Sequence, residues 1–384
     1  MPTNEIENLP YMEKYNPYQK AYLDFWKESV ADIRKFWDQE ARKLLWYRTW
    51  DKVLDDSNPP FYRWFVGGET NMTLNALDRW KGTHVFNKVA YYWEGEDGAR
   101  RSVSYRELYE EVNRFSKALQ DLGVGPNSTV TIYLPMIPEL PIAMLSVVRL
   151  GAIHSVVFSG FSAQALADRI VDAKSKIVIT ADAYPRRGKP VETKKTADDA
   201  VAIAEKSGVN VEHVVVVRRL GTDVPWKEGR DLWYHELMSK YSDTTYVRPE
   251  PRKGDDILYM LYTSGTTGKP KGIMHSVGGN MVYVHSVFKW NWDIRPEDVH
   301  WTMADVGWVT GHTYIVYGPL LHGATEVLYE GAIDYPKPDR PWEMIERYGV
   351  TIFYTSPTAE RALRAYGDEW VDKHEMPTLR ILGT

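Results

Sequence analysis

The stretch Tyr262-Thr-Ser-Gly-Thr-Thr-Gly-Lys-Pro-Lys-Gly272 crowds hydroxyls, glycines and lysines into one short span. Together these residue types can hold phosphate. Glycines bring the backbone close to a ligand, and N–H groups and hydroxyls then bond phosphate oxygens. Thr263, Ser264, Gly265, Thr266, Thr267, Gly268 and Lys271 are the candidate phosphate residues, with Lys269 adding charge. Pro270 stiffens the exit. The spacing is not that of a Walker A loop, because Gly265 and Gly268 are too close and proline follows Lys269. The plain alternative is a Gly/Ser/Thr surface turn.

An apolar run at 257–261 reads as a buried strand before this loop, and 275–288 reads as a helix after it, weakened by Gly278 and Gly279. Strand, glycine-rich loop and helix is a phosphate-cradling order. Upstream, a helical pattern at 18–48 follows a polar arm and reads as packed against the protein rather than on a membrane. A strand at 89–94 turns at Asp97-Gly98 and returns at 101–103. Ser104-Tyr-Arg-Glu107 is a capping box that opens a helix ended by Gly123.

Strands at 128–134, 155–158, 176–180 and 211–217 alternate with helices at 142–150, 163–173 and 197–207. That rhythm predicts an α/β fold with mostly parallel sheet and helices on both faces. A looser, charged insertion is expected at 221–254. Downstream, strands at 300–303, 325–328, 351–354 and 379–382 enclose helices at 342–348 and 358–366.

The 384 residues suffice for a large core and more than one lobe. Hydrophobic content of 43% and charged content of 26% are globular values. A net charge of −5 gives no global field for nucleic acid or an anionic membrane. Cysteine is absent, which excludes disulfides and a catalytic thiol and suits a reducing, cytoplasmic setting. The first residues carry no secretory pattern, and no apolar run is long enough to span a bilayer. The 15 Trp and 25 Tyr read as bulky packing.

The segment Thr263–Gly272 resembles the phosphate loop of the adenylate-forming superfamily, which includes acyl-CoA synthetases, luciferases and peptide-synthetase adenylation domains. Ala304-Asp-Val-Gly-Trp-Val-Thr-Gly-His312, Gly318-Pro-Leu320 and Tyr354-Thr-Ser-Pro-Thr-Ala359 are similar to its acetyl-CoA synthetase branch. The likeness runs from about residue 20 to Thr384. It implies a helical N-terminal extension at 1–85 and an AMP-binding domain at 86–384, incomplete at its C-terminal end. The fold implied is the large N-terminal domain of that superfamily, truncated before the small C-terminal domain.

The resemblance implies an AMP-forming acetate:CoA ligase. Acetate and ATP give acetyl-adenylate, which CoA then converts to acetyl-CoA. Thr263 and Lys271 fall at catalytic positions of the phosphate loop. Trp308, Val309 and Thr310 fall at the acyl pocket. Gly160, Arg186, Arg187, Gly188, Lys189, Thr310 and Asp334 fall at the CoA surface. Lys189 stands where arginine is expected, so a bidentate grip becomes a point charge. Asp334 stands where asparagine is expected. The adenylation step needs no histidine base, so His275 and His312 read as structural or site-lining.

No metal cluster is visible in the spacing. Magnesium is expected with ATP, through ligands beyond Thr384. The adenine turn and the mobile C-terminal domain are expected there too, so the residues in hand are expected not to complete the reaction. The alternatives are a propionate or other short-chain synthetase, and a non-catalytic nucleotide-binding or scaffolding protein. Oligomerisation stays open.

Overall fold

In the valine- and isoleucine-rich runs, alternate side chains have hydrophobic neighbours on opposite faces, so these runs form the interior of a sheet. The computed structural model describes residues 17–263 and 270–384. Ser264, Gly265, Thr266, Thr267, Gly268 and Lys269 lie outside the described residues, as does the polar arm up to residue 16.

The larger sheet has seven strands. In spatial order they are Asp231–Trp233, His213–Val217, Ile177–Ala181, Thr129–Tyr133, Ile153–Val156, Ile257–Thr263 and Lys271–Ser276. All neighbours are parallel except the last two, which are antiparallel. Val178, Val214 and Val216 pack with Leu166, Ile170, Ala197 and Val201 of helices Ala163–Ala173 and Thr193–Lys206. Ile177, Ile179, Val215 and Val217 belong to the core of helices Tyr105–Asp121 and Glu139–Arg149. This is the parallel sheet with two helical faces that the sequence predicts.

The second sheet has six strands: Ile381–Gly383, Ile352–Tyr354, Val299–Thr302, Thr325–Glu330, Val89–Gly95 and Arg100–Ser104. Only the last pair is antiparallel. The capping box is present: Glu107 N donates to Ser104 Oγ, and Ser104 N donates to Glu107 Oε2 at 2.7 Å.

Three expectations need correction. Residues 271–276 form an antiparallel strand, and the helix begins only at Val277. Ile257–Thr263 and Lys271–Ser276 therefore pair as an antiparallel hairpin, and His275 lies on its second strand. Gly278 and Gly279 sit inside helix Val277–Trp292, and at Gly278 the reason is packing. A Cβ there would meet Gly254 Cα at 2.9 Å and the Trp46 ring at 2.9 Å.

The helix expected over 18–48 breaks into Pro17–Ala31 and Ile33–Ala41. Asp32 adopts an extended conformation between them, and its side chain accepts from Lys35 N at 3.0 Å. Tyr22, Val30 and Ile33 are exposed, while Phe25, Phe36 and Trp37 cluster on Trp290. The insertion at 221–254 holds the outermost strand, Asp231–Trp233, and helix Tyr234–Ser239.

Candidate active site

Strands Thr129–Tyr133 and Ile153–Val156 of one sheet, and Val299–Thr302 and Thr325–Glu330 of the other, run out into loops that enclose one crevice. Its volume is about 260 Å³. Phe158, Ser159, Arg186, Asp305, Trp308 and Glu330 are among its walls. In parallel α/β sheets, ligands gather at this carboxyl edge of the strands.

Three sequence-predicted elements meet here. The turn at 158–161 carries Gly160, where a Cβ would lie 2.5 Å from the Phe158 ring, so glycine lets the turn close. Trp308 is 50% exposed, which excludes simple core packing. Its ring stands 6.4 Å from Phe158 and 6.1 Å from Phe161. Val309 is also half exposed, and Thr310 follows in the short helix Val309–Gly311, partly buried.

The basic cluster forms the hairpin Tyr184–Arg186 and Lys189–Val191. Arg187 and Gly188 make its turn, with φ of 50° and 72°. Two consecutive left-handed residues suit a tight hairpin, and Gly188 supplies one without steric cost. Arg186 Nη1 donates to Gly331 O at 2.7 Å, and Gly188 N donates to Glu96 Oε1 at 2.8 Å. Arg187 pairs with Asp334 at 2.8 Å. Asp334 is thus committed to an arginine and is not a free polar group.

Several residues that support the crevice carried no sequence signal of their own. Asp182, buried just past strand Ile177–Ala181, accepts from five backbone N–H groups. Oδ1 takes Ala183, Arg219 and Leu220, and Oδ2 takes Gly221 and Thr222. This hub fixes the loop that carries Arg219. Arg219 in turn bonds Glu330 at 2.6 Å and Asp97 at 2.9 Å. Asp305, within the quoted segment at 304–312, was assigned no role. Its Oδ1 accepts from Gly307 N at 2.7 Å. Its accessible surface is intermediate, yet protein surrounds the carboxyl and desolvation pushes it up to about 6.

His312 is fully buried and His275 is half-buried. Tyr259 lies between them, with ring centroids at 4.5 and 4.4 Å. His312 Nδ1 is 3.1 Å from Trp308 O, and burial pushes the ring down to about 3. At neutral pH it is an uncharged support beneath Trp308, as the sequence reading has it.

The hairpin of Ile257–Thr263 and Lys271–Ser276 is built differently. Thr263 pairs with Lys271, and both are exposed at the open end of the antiparallel pair. Neither residue lines the crevice. Among the described residues, no group of three His, Cys, Asp or Glu could hold a metal ion.

Residues 77–384 match the family model of the AMP-binding enzymes. The chain belongs to the AMP-binding enzyme family. This AMP-binding enzyme chain also matches, over residues 22–76, the model of the acetyl-coenzyme A synthetase N-terminus. It is 52% identical over 387 residues to the acetyl-coenzyme A synthetase of Pyrobaculum aerophilum, covering 98% of the chain and 57% of that protein. It is 49% identical to the acetyl-coenzyme A synthetase of Rubrobacter xylanophilus, covering 94% of the chain and 55% of that protein. It is 48% identical to the 3-hydroxypropionyl-coenzyme A synthetase of Sulfurisphaera tokodaii, covering 98% of the chain and 57% of that protein. The chain therefore spans somewhat over half the length of these curated relatives.

Proposed function

We propose that these residues serve an AMP-forming acetate:CoA ligase. A carboxylate oxygen of acetate attacks the α-phosphorus of ATP, and pyrophosphate leaves. The sulfur of CoA then attacks the acyl carbon, AMP leaves, and the thiol proton is lost. The first step gains from charge neutralisation on the departing phosphates and from in-line positioning. Lys271 and Thr263, with 264–268 between them, take the phosphate role. Val309 and Thr310, beside Trp308, form the wall against the acyl group. Gly160 lets the pantetheine arm pass, and Arg186, Arg187, Gly188 and Lys189 face the CoA nucleotide.

The observation that carries this reading is the meeting of Trp308, the Gly160 turn and Arg186 around one crevice at the strand ends. Names shared with the acetyl-CoA synthetase relatives support it. Magnesium is proposed to accompany ATP, and no described residue is assigned to it. A cytoplasmic location is proposed from the lack of cysteine. No helix among the described residues is long and apolar enough to cross a membrane.

The test is acetate-dependent exchange of labelled pyrophosphate into ATP, on a protein of the relatives' full length that carries these 384 residues. Exchange with acetate, followed by thioester formation with CoA, is expected. No exchange with any short acid would overturn the assignment. A second reading, another short-chain acid, is favoured by the 3-hydroxypropionyl relative. One methylene is worth about 1–3 kcal/mol in a pocket, so relative kcat/KM for acetate, propionate and 3-hydroxypropionate decides between them.

A further inference from the structure

A buried arginine stands between the crevice and the hairpin of Ile257–Thr263 and Lys271–Ser276. Arg169 lies on helix Ala163–Ala173 and is 8% exposed. Its guanidinium carbon is 4.8 Å from the Phe161 ring and 5.3 Å from the Tyr262 ring. Phe161 ends the turn at 158–161, and its ring meets that of Trp308 edge-on at 6.1 Å. Tyr262 precedes Thr263 at the end of the first hairpin strand. One side chain therefore touches both a crevice wall and the hairpin.

Packing alone does not explain a charge here. Among the described residues Arg169 makes no ion pair. Asp168 and Asp172, its neighbours on the helix, accept instead from Gln164 and from the Tyr262 hydroxyl, each at 2.8 Å. Arg169 Nη1 donates to Ala165 O at 2.6 Å. Desolvation pushes the guanidinium below its ordinary value, and the two aromatic faces offset part of that penalty. A methionine would fill similar space without a buried charge. The turn itself is held separately, because Tyr133 OH donates to Ser159 O and to Phe161 O at 2.8 Å each. What the arginine adds is a link. A cation gains from both rings only while both stay close, so the contact fixes one region against the other.

We propose that Arg169 is a positioning residue that fixes the hairpin against the crevice turn, so that the acyl carboxylate at the crevice and the nucleotide phosphates at the hairpin meet in line. In-line attack depends on that spacing, and a misplacement of about 1 Å can cost about a hundredfold in rate. Thioester formation from the adenylate uses the crevice and not the departing phosphates, so it depends less on Arg169. This inference rests on the ligase reading above.

The substitution R169M keeps the apolar length and removes the charge, while R169K keeps a cation for the two rings. Each is made in a protein of the relatives' full length. Pyrophosphate exchange with acetate and ATP reads the first step, and thioester formation from supplied acetyl-adenylate and CoA reads the second. R169M is expected to lower the exchange kcat about tenfold with KM for ATP and acetate within about twofold. Thioester formation is expected within about twofold, and the urea midpoint equal or higher, because an unpaired buried charge is gone. R169K is expected to restore exchange to within about threefold. F161L removes one ring and keeps the charge, and is expected to lower exchange about threefold, so the proposal stays testable should R169M fail to fold.

Unchanged exchange in R169M or F161L would overturn the proposal while leaving the ligase reading intact. So would an equal fall in both steps together with a lower urea midpoint, which is the mark of a residue that only supports the fold. No exchange in the unchanged full-length protein would overturn both.

Discussion

The crevice and the hairpin of Ile257–Thr263 and Lys271–Ser276 are built on opposite plans. At the crevice, buried carboxylates hold backbone and side chains in place: Asp182 on five N–H groups, Glu330 on Arg219, and Glu96 on Gly188 and Ala332. At the hairpin, residues 271–274 are exposed on an edge strand that pairs on one side only. Its fixed points are the Tyr262 hydroxyl, which donates to Asp172 Oδ2 at 2.8 Å, the His275 ring stacked on Tyr259 at 4.4 Å, and the close helix packing at Gly278. The contrast separates two tasks. On the proposed reading, a thiol carrier threading the crevice gains from a wall set before it arrives. On the same reading, the strand that leads out of the phosphate segment keeps its donors unburied, and residues 271–274 are accordingly exposed.

Substitution at the hub should give the largest effect. D182A leaves the buried Ala183 N–H and the partly buried N–H groups at 219–222 without their acceptor, and an unmade bond to a buried donor costs about 1–3 kcal/mol. The expected loss of stability is at least about 3 kcal/mol, read by urea unfolding. A loss below about 1 kcal/mol would mean the crevice wall is not anchored there.

The root of the hairpin comes next. Gly278→Ala puts a methyl group against Gly254 and Trp46, and overpacking of this kind costs about 1–3 kcal/mol, partly offset by better helix propensity. A net loss of about 1–2 kcal/mol is expected in the same assay. A gain would show that the helix can shift and that the hairpin is not anchored at Gly278.

Asp305 gives a pH-dependent test. Its carboxyl in the folded chain is raised to about 6, above its ordinary value of 3.8. The folded state therefore holds this proton between those values while the unfolded state releases it, so the group's contribution to stability falls as pH rises from about 4 to 6. D305N removes that slope. It is expected to be the more stable form above pH 7, by about 1 kcal/mol after allowance for partial exposure, and to lose this advantage below pH 4. Parallel stability curves for the two forms would show that the Asp305 carboxyl is not desolvated in the folded chain.

The smallest effect on stability belongs to K271A. An exposed lysine on an edge strand should change stability by less than about 0.5 kcal/mol. Pyrophosphate exchange in the full-length protein should nevertheless fall by more than about tenfold. A large stability loss would erase the contrast between the two regions.

Much of the fold was legible because its signals are local. Alternating valines and isoleucines mark the strands, and Ser104 with Glu107 marks a helix start within one turn. The strand at 271–276 was not legible. Lys-Gly-Ile-Met-His-Ser has no alternating pattern, because an exposed edge does not sort its side chains between two faces. Gly278 looked like a helix breaker, since the backbone of Gly254 that explains it is distant in sequence. The positions of Trp308, Gly160 and Arg186 were readable from motifs. The Asp182 hub was not, because four of its five partners lie 37 to 40 residues away in the chain and all are backbone groups with no residue-type signature.

Amide hydrogen exchange with CoA and with ATP tests the two-region account most directly. CoA should protect 158–161 and 184–191 and leave 271–276 unchanged. ATP should do the reverse. Protection of 271–276 by CoA with none at the 184–191 hairpin, or identical patterns for the two ligands, would contradict the assignment of the crevice to the thiol carrier and of the hairpin to the nucleotide phosphates.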